Sequence, residues 1–385
     1  MTFRSKPHFL AFSAVLFLST FIGCDRPEKA AETRPVKIGV LGPFTGEGAT
    51  YGEAMKRGVE LALKELRDSS SPATTRITAA YEDDKLSSKE GINAFRKLVD
   101  VDKVQAIIGS AGSSVSLAIA PLANESRIVL FSPISTADAL KNAGEYFFRN
   151  IPPNRNQAKT VAYFIAKYLT KTKVAVFYEN NDYGNNMKTI LSEDLAPLGA
   201  KILISLPYES GQRDFRDGLA KIKAAKPDVV FIPGTYQENG LIVSQARNID
   251  LDVPFIGGDG AYSPQFIELA GKASEGFFLT MIALPTEHAS DAIGRFYRNF
   301  RAAYQSEPDI YSALSYDAAM MIAKAIEANG NMGNKIKDTL RAMEYVGITG
   351  NIKFDSHGEV DKPYKILYIK NGQFTLLDWE PIFGE

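Results

Sequence analysis

Residues 36–62 read VKIGVLGPFTGEGATYGEAMKRGVELA, a short apolar run followed by a glycine-rich turn and an amphipathic stretch. The run Val36–Leu41 is rich in valine and isoleucine, which predicts a buried strand. From Tyr51 to Arg67 apolar residues recur every three or four positions, which predicts a helix with one buried face. A strand that leads through a short turn into such a helix is the first half of a βαβ unit, and βαβ units build parallel sheets.

The same alternation continues through most of the chain, and its end differs. Asn371-Gly372 lies between the strand-like runs Tyr364–Ile369 and Gln373–Leu377, which predicts a hairpin. Asn329-Gly330 predicts the end of the last long helix. Further strands are predicted at Arg76–Tyr81, Ala106–Ile108, Ile128–Phe131, Lys173–Tyr178, Lys201–Leu206, Val229–Ile232 and Phe255–Ile256. Further helices are predicted at Ser88–Val99, Ser113–Asn124, Gln157–Leu169, Asn185–Leu195, Phe215–Ala225, Asn239–Asn248, Ala292–Tyr304 and Ala313–Ala328.

The N-terminus has the layout of an export signal. A basic head precedes the apolar run Phe9–Ile22, and Gly23 is followed by Cys24, the single cysteine of the chain. The run is too short to span a bilayer, which takes roughly twenty residues, so residues 1–23 are expected to be a signal peptide. A cysteine at this place resembles a lipidation site, although an ordinary signal with a chance cysteine remains the alternative. Residues 24–35 are charged and contain proline, as a lipidated tether would.

Size and charge limit the classes of function. Of the 385 residues, 45% are hydrophobic and 23% are charged, and the formal net charge is −1. A chain of this length exceeds one hydrophobic core and fits two domains. Because no block of basic residues follows the signal, nucleic acid is not an expected partner.

Catalytic and cofactor patterns are poorly matched. Gly46, Gly48 and Gly52 are spaced one residue too widely for a dinucleotide fingerprint, so the turn is either a plain connection or a ligand-lining loop. Besides one histidine in the signal, the chain has only His288 and His357, far apart in sequence. No serine-hydrolase elbow is present. We therefore expect neither an enzyme nor a bound metal or cofactor.

Small polar residues follow two of the predicted strands. Ser113 comes after Ala106–Ile108, and Thr136 comes after Ile128–Phe131. Ligands of open parallel sheets bind outside the carboxyl ends of the strands, and a helix N-terminus with hydroxyl donors suits a carboxylate. Helix capping by serine and threonine is the alternative explanation for both residues.

Six segments follow one another along the chain: VKIGVLGPFTGEGATYGEAMKRGVELA, AIIGSAGSSVSLAIAP, VLFSPISTADAL, VAVFYENNDYG, PDVVFIPGTYQENGLIVSQAR and FIGGDG. In this order they resemble the type I periplasmic binding proteins, specifically the leucine/isoleucine/valine-binding family of ABC importers. The resemblance implies an α/β fold of two doubly wound, Rossmann-like lobes joined by a three-crossover hinge, the Venus flytrap. The implied lobes are residues 36–152 plus 284–349 and residues 153–283 plus 350–385.

Matching positions of the family imply a ligand set. Ser113 would hold the ligand carboxylate, and Thr136 would contact both the carboxylate and the ammonium. The carbonyl at Ile134, beside Ser135, would accept from the ammonium. Asp259 would pair with the ammonium, with helix capping near Ser263 as its alternative role. Tyr183 would close over the ligand, and Tyr51 would line its side-chain end. Thr235 and Tyr236 complete the set. The family carries a tyrosine at the position of Thr235, so this chain departs from the family there.

The implied function is capture of a small amino acid, branched-chain or otherwise aliphatic, for an ABC permease. The expected location is the periplasmic face of the inner membrane, or the cell surface of a Gram-positive host, with Cys24 as the lipid anchor. We expect a monomer. The alternatives are a ligand-sensing receptor subunit of the same fold, and a ligand that is an amide or an aromatic acid.

Overall fold

Two mainly parallel β-sheets, each with helices packed around it, organise the chain from Pro35 onward. The computed structural model describes residues 1–4, 35–68, 77–329 and 333–381. The predicted signal, the tether and Cys24 therefore lie almost wholly outside the described residues. No helix in the described ranges combines the length and apolar character that crossing a membrane would require.

The first sheet belongs to the lobe that begins the fold. Its five strands within the described residues are all parallel, and the first strand of the chain lies second from one edge, beside the third. The elements in chain order are Val36–Gly42 (β1), Ala49–Asp68 (α1), Ile77–Asp83 (β2), Ser88–Arg96 (α2), Ala106–Gly109 (β3), Ser113–Ser126 (α3), Val129–Ser132 (β4) and Phe147–Arg149 (β5). The spatial order is β2-β1-β3-β4-β5.

The second lobe starts after β5 with another series of alternating helices and strands. Its elements are Asn154–Tyr163 (α4), Lys173–Glu179 (β6), Asp182–Leu195 (α5), Lys201–Tyr208 (β7), Arg216–Ala225 (α6), Val229–Ile232 (β8), Tyr236–Asn248 (α7), Phe255–Gly257 (β9), Pro264–Ala270 (α8) and Phe278–Met281 (β10). The strands β6 to β10 pair in parallel.

The chain then returns to the first lobe before it ends in the second. The remaining elements are Asp291–Tyr304 (α9), Ile310–Asn329 (α10), Gly333–Ala342 (α11), Glu344–Gly347 (β11), Gly350–Lys353 (β12), Lys365–Lys370 (β13) and Gln373–Leu376 (β14). Helix α10 packs along α1 so closely that a Cβ on Gly58 would lie 2.1 Å from the Ser312 carbonyl oxygen. Strands β13 and β14 complete the order β14-β13-β10-β9-β8-β6-β7.

Comparison with the sequence predictions separates strong local signals from weak ones. The eight strands and nine helices predicted for the alternating series are all present within the described residues, with boundaries that differ by a few residues. The hairpin is confirmed, and Asn371 and Gly372 both have positive φ, at 52° and 70°. The prediction missed β5, β10, β11, β12, α8 and α11, which are short elements of 3 to 10 residues. The predicted stop at Gly330 lies outside the described residues.

A buried ion pair joins two segments of the chain near the point where the chain passes from one lobe to the other. The Arg149 side chain is fully buried and pairs with Glu359, which reaches it from the stretch between β12 and β13. Arg149 also donates from Nη1 to the carbonyl of Ala137, at 3.0 Å. The ion pair between Arg149 and Glu359 thus connects the end of the first sheet to the segment between β12 and β13.

Candidate ligand-binding cleft

A cavity lies where the carboxyl ends of the two parallel sheets face each other. Its volume is about 130 Å³, on the order of ten times what one buried water needs. Both lobes contribute to its wall, and no Lys, Arg or His is among the described residues that line it. The wall is formed by Tyr51, Leu86, Ala111, Gly112, Ser113, Ser114, Ile134, Thr136, Glu179, Asn181, Tyr183, Ser210, Gly234, Thr235, Asp259, Gly260 and Tyr311.

The first lobe presents hydroxyl donors to this cavity. Ser113 is the first residue of α3, and its Oγ accepts from the backbone N–H groups of Thr136 and Ala137, at 3.2 and 3.1 Å. A hydroxyl that accepts two hydrogen bonds still has its own proton to donate. The Thr136 hydroxyl makes no hydrogen bond within the described part of the chain. The N-cap position of α3 is Gly112, so neither hydroxyl caps that helix, and both can serve an anion.

Hydrogen bonds from other segments hold the loop that carries Thr136 in place. Arg149 donates to the carbonyl of Ser135 at 3.3 Å, and the backbone N–H of Asn154 donates to the carbonyl of Thr136 at 2.7 Å. Among the described residues, no hydrogen bond reaches the carbonyl of Ile134. That carbonyl is therefore an available acceptor beside the two hydroxyls.

The second lobe presents a buried acid at the opposite side. Asp259 is only 3% exposed and follows β9 in a short helical turn. Its Oδ1 accepts from the Tyr183 hydroxyl at 2.9 Å and from the backbone N–H of Gly260 at 3.0 Å. The Tyr183 hydroxyl approaches so closely that a Cβ on Gly258 would lie 1.9 Å from it, which only glycine permits.

Burial dominates the electrostatics of this acid. It raises the pKa of Asp259, while the nearby Gln157 amide and the hydrogen bonds from Tyr183 and Gly260 oppose the rise. Within the described residues Asp259 forms no ion pair. A buried carboxylate without a cation is costly, and a ligand ammonium would relieve that cost.

The two lobes also touch each other directly around the cavity. Tyr51 of α1 donates its hydroxyl proton to the carbonyl of Gly260, and Ser114 of α3 accepts from the backbone N–H of Asp182 at 3.2 Å. The Tyr51 ring packs edge-on against Tyr311, with ring centroids 5.5 Å apart. The structure is therefore a closed form, in which the cleft is covered by both lobes.

Seven of the nine residues in the predicted ligand set line the cavity, and two do not. Ser135 points away from it, because its hydroxyl bonds to the Ser110 carbonyl at 2.9 Å and to Ser116 Oγ at 2.7 Å. Tyr236 is fully buried behind Tyr51, with ring centroids 5.2 Å apart. The lining residues of the set are Tyr51, Ser113, Ile134, Thr136, Tyr183, Thr235 and Asp259.

Several lining residues were missed by the sequence reasoning. The most unusual is Glu179, the last residue of β6, which is 2% exposed. Burial first, and the nearby Glu238 second, raise the pKa of Glu179 to about 7. Its place at the carboxyl end of a parallel strand was a usable signal, the same one that indicated Ser113. Ser210 and Tyr311, from a loop and a helix, had no such signal.

Comparison with known proteins places the chain among binding proteins. The model of the periplasmic binding protein family matches residues 35–373. A leucine-, isoleucine-, valine-, threonine- and alanine-binding protein of Pseudomonas aeruginosa is 28% identical over 353 residues, which cover 91% of each chain.

Solved structures agree in fold over most of their length. The leucine-binding protein LivK of Thermotoga maritima has a TM-score of 0.84 at 29% identity, with 89% of this chain and 97% of that chain covered. LivJ of Streptococcus pneumoniae, in complex with isoleucine, has a TM-score of 0.83 at 27% identity, with 89% and 99% covered. A solute-binding protein of R. palustris in complex with benzoate is similar in fold alone, with a TM-score of 0.80 at 20% identity over 89% and 95%.

Proposed function

The chain belongs to the periplasmic binding protein family, and from this premise we propose that it captures a small amino acid between its lobes for an ABC permease. The observation that carries the proposal is the polarity of the cavity. Hydroxyl donors of Ser113 and Thr136 lie on the first lobe, and the buried, unpaired carboxylate of Asp259 lies on the second. A zwitterion needs donors at one end and an acidic acceptor at the other.

The charge of the cavity favours an amino acid over an aromatic acid. Two carboxylates, Asp259 and Glu179, line the described wall, and no basic side chain accompanies them. An aromatic acid would bring a further negative charge without a cation, and burial of unpaired charge is costly. For this reason we do not infer an aromatic ligand from the benzoate-bound protein of similar fold. An amino acid brings its own ammonium.

The proposed mechanism is binding and closure without a chemical step. A ligand held by Ser113 and Thr136 on one side and by Asp259 on the other makes its full set of contacts only in the closed form. Such differential contacts shift the equilibrium toward closure. We assign residues 36–152 plus 284–349 to the first lobe and residues 153–283 plus 350–385 to the second. The permease would then distinguish the closed, loaded surface from the open one.

Ligand identification tests this function directly. Protein purified under native conditions is denatured, and the released small molecules are identified by mass spectrometry. The stripped and refolded protein is then titrated with each of the common amino acids by calorimetry. We expect a one-to-one complex with at least one of them. Binding of an amide or an aromatic acid, with no response to any amino acid, would refute the proposal.

We also propose that Cys24 is the lipid anchor, which would place the protein on the periplasmic side of the inner membrane. The support is the order of basic head, apolar run and cysteine in the sequence. Substitution Cys24→Ser should release the protein or leave its precursor unprocessed, as judged by fractionation and intact mass. Unchanged mass and membrane association in this variant would refute the anchor.

A further inference from the structure

A second buried carboxylate in the cavity has no role in the capture just proposed. Glu179 ends β6, whereas Asp259 follows β9, and strand β8 lies between these two strands in the sheet. Neighbouring strands are about 4.8 Å apart, so the backbones of the two acids are separated by roughly 10 Å. The Tyr51 hydroxyl, which donates to the carbonyl of Gly260, lies near both acids. A phenol carries no positive charge, so it does not neutralise either of them. A single ammonium paired with Asp259 therefore leaves Glu179 to another group.

In the part of the chain that the structure describes, a backbone N–H donates to Glu179 and no basic side chain pairs with it. Its Oε2 accepts from the backbone N–H of Thr235 at 3.2 Å, and the nearby Ser210 hydroxyl lowers the pKa of Glu179. No ion pair involving Glu179 is formed in the described ranges. The charged and titratable groups that face it are the acids Glu47 and Glu238 and the phenols of Tyr51 and Tyr208.

Geometry assigns this acid to the side-chain end of the ligand. If the ligand carboxylate is held at Ser113 and Thr136 and the ammonium at Asp259, the third substituent of the α-carbon must face the remaining wall. That wall includes Leu86 and Glu179. Its other members include the aromatic rings of Tyr51 and Tyr311 and the polar residues Asn181, Ser210 and Thr235, so it is apolar in part, and Glu179 is the one acid on it among the described residues.

We propose that Glu179 determines specificity, by selecting an amino acid whose short side chain carries an O–H or N–H donor. The inference rests on the proposed function and narrows it, because the family resemblance favours an aliphatic side chain. An aliphatic group placed here would cover a carboxylate without giving it a hydrogen bond, which is unfavourable. A hydroxyl, amide or amine would supply that bond.

Isosteric ligand pairs test the proposal by calorimetry. The pairs are threonine with valine, asparagine with leucine, and ornithine with norleucine, which match a hydroxyl, an amide and an ammonium against an apolar group of similar shape. We expect the polar member of at least one pair to bind about tenfold or more tightly, as one hydrogen bond to a charged group provides. Glu179→Leu should abolish or reverse that preference.

A neighbouring acid provides the control for charge alone. Glu238 is buried beside Glu179 but does not line the cavity, so Glu238→Gln should leave the preference in place. The inference is overturned if the apolar member binds as well or better in every pair, or if Glu179→Leu leaves the ratio unchanged. If no common amino acid binds at all, the proposed function itself fails, whereas binding without preference for the polar members overturns only this inference.

Discussion

The Tyr311 hydroxyl donates to the carbonyl oxygen of Asp259 at 2.8 Å. Tyr311 lies on α10, which packs along α1 of the first lobe, whereas Asp259 follows β9 of the second. The residue that presents an acid to the cavity is thus tied through its own backbone to the opposite lobe. The Tyr311 side chain therefore couples closure to the position of the acid.

Removal of the Tyr311 hydroxyl should weaken ligand binding even though Asp259 itself is not substituted. Tyr311→Phe retains the ring and its edge-on contact with Tyr51, but it loses one interlobe hydrogen bond of about 1 kcal/mol, or roughly fivefold in affinity. Tyr304→Phe is the matched control, because its hydroxyl donates to the Arg57 carbonyl at 3.0 Å within the first lobe. Equal affinities of the two variants for the identified ligand would contradict the coupling.

Thr136→Val tests the carboxylate end. Valine keeps the shape and removes a hydroxyl that makes no hydrogen bond within the described residues, so the folded protein should lose little stability. Loss of a hydrogen bond to a charged carboxylate should cost about 1.5–3 kcal/mol, or roughly ten- to a hundredfold in affinity. Calorimetry with the identified amino acid measures this. Wild-type affinity in the variant would show that Thr136 does not contact the carboxylate.

Glu359→Ala should destabilise the protein strongly, since it leaves the fully buried Arg149 without its partner. Breaking a buried ion pair by removal of one member costs about 3–5 kcal/mol. The surface pair of Lys353 and Glu344, whose side chains are 72% and 71% exposed, gives the control, and Glu344→Ala should change stability little. Denaturant unfolding of both variants decides, and a similar midpoint for the two would be inconsistent with the assigned role.

Glu179 should make stability depend on pH. Its pKa of about 7 exceeds the ordinary value of 4.5 because of burial, so the folded state binds more protons than the unfolded state between those values. Stability is therefore lost as pH rises from about 4.5 to about 7 and stays constant above that range. Glu179→Gln removes this loss. The difference in free energy of unfolding, variant minus wild type, should therefore increase by up to about 3 kcal/mol from pH 5 to pH 8. A difference that stays constant over this range would count against the burial argument.

The sequence contained enough to predict the architecture because its strands and helices have strong periodic signals. The pattern of Val36–Gly42 followed by Ala49–Asp68 defines the βα unit in a single segment. The missed strand Phe278–Met281 has only four residues and pairs on one side with the later hairpin strand Lys365–Lys370. Its existence depends on a partner that is distant in sequence, which a local pattern does not report.

The cavity was less predictable than the fold. The strand-end rule indicated Ser113 and Thr136, and both line the cavity. The direction of a side chain within a turn depends on its neighbours, so sequence did not show that Ser135 bonds inward to the Ser110 carbonyl. Tyr311 reaches the cavity only because α10 packs along α1, which is a tertiary relationship.

The central claim is that Asp259 pairs with the ammonium of an amino acid, and one comparison tests it most directly. Wild type and Asp259→Asn are titrated by calorimetry with the identified amino acid and with its desamino analogue. The substitution keeps the size of the side chain and removes its charge, so it should weaken binding of the amino acid roughly ten- to a hundredfold and barely change binding of the analogue. Equal losses for both ligands, or no loss for either, would contradict the claim.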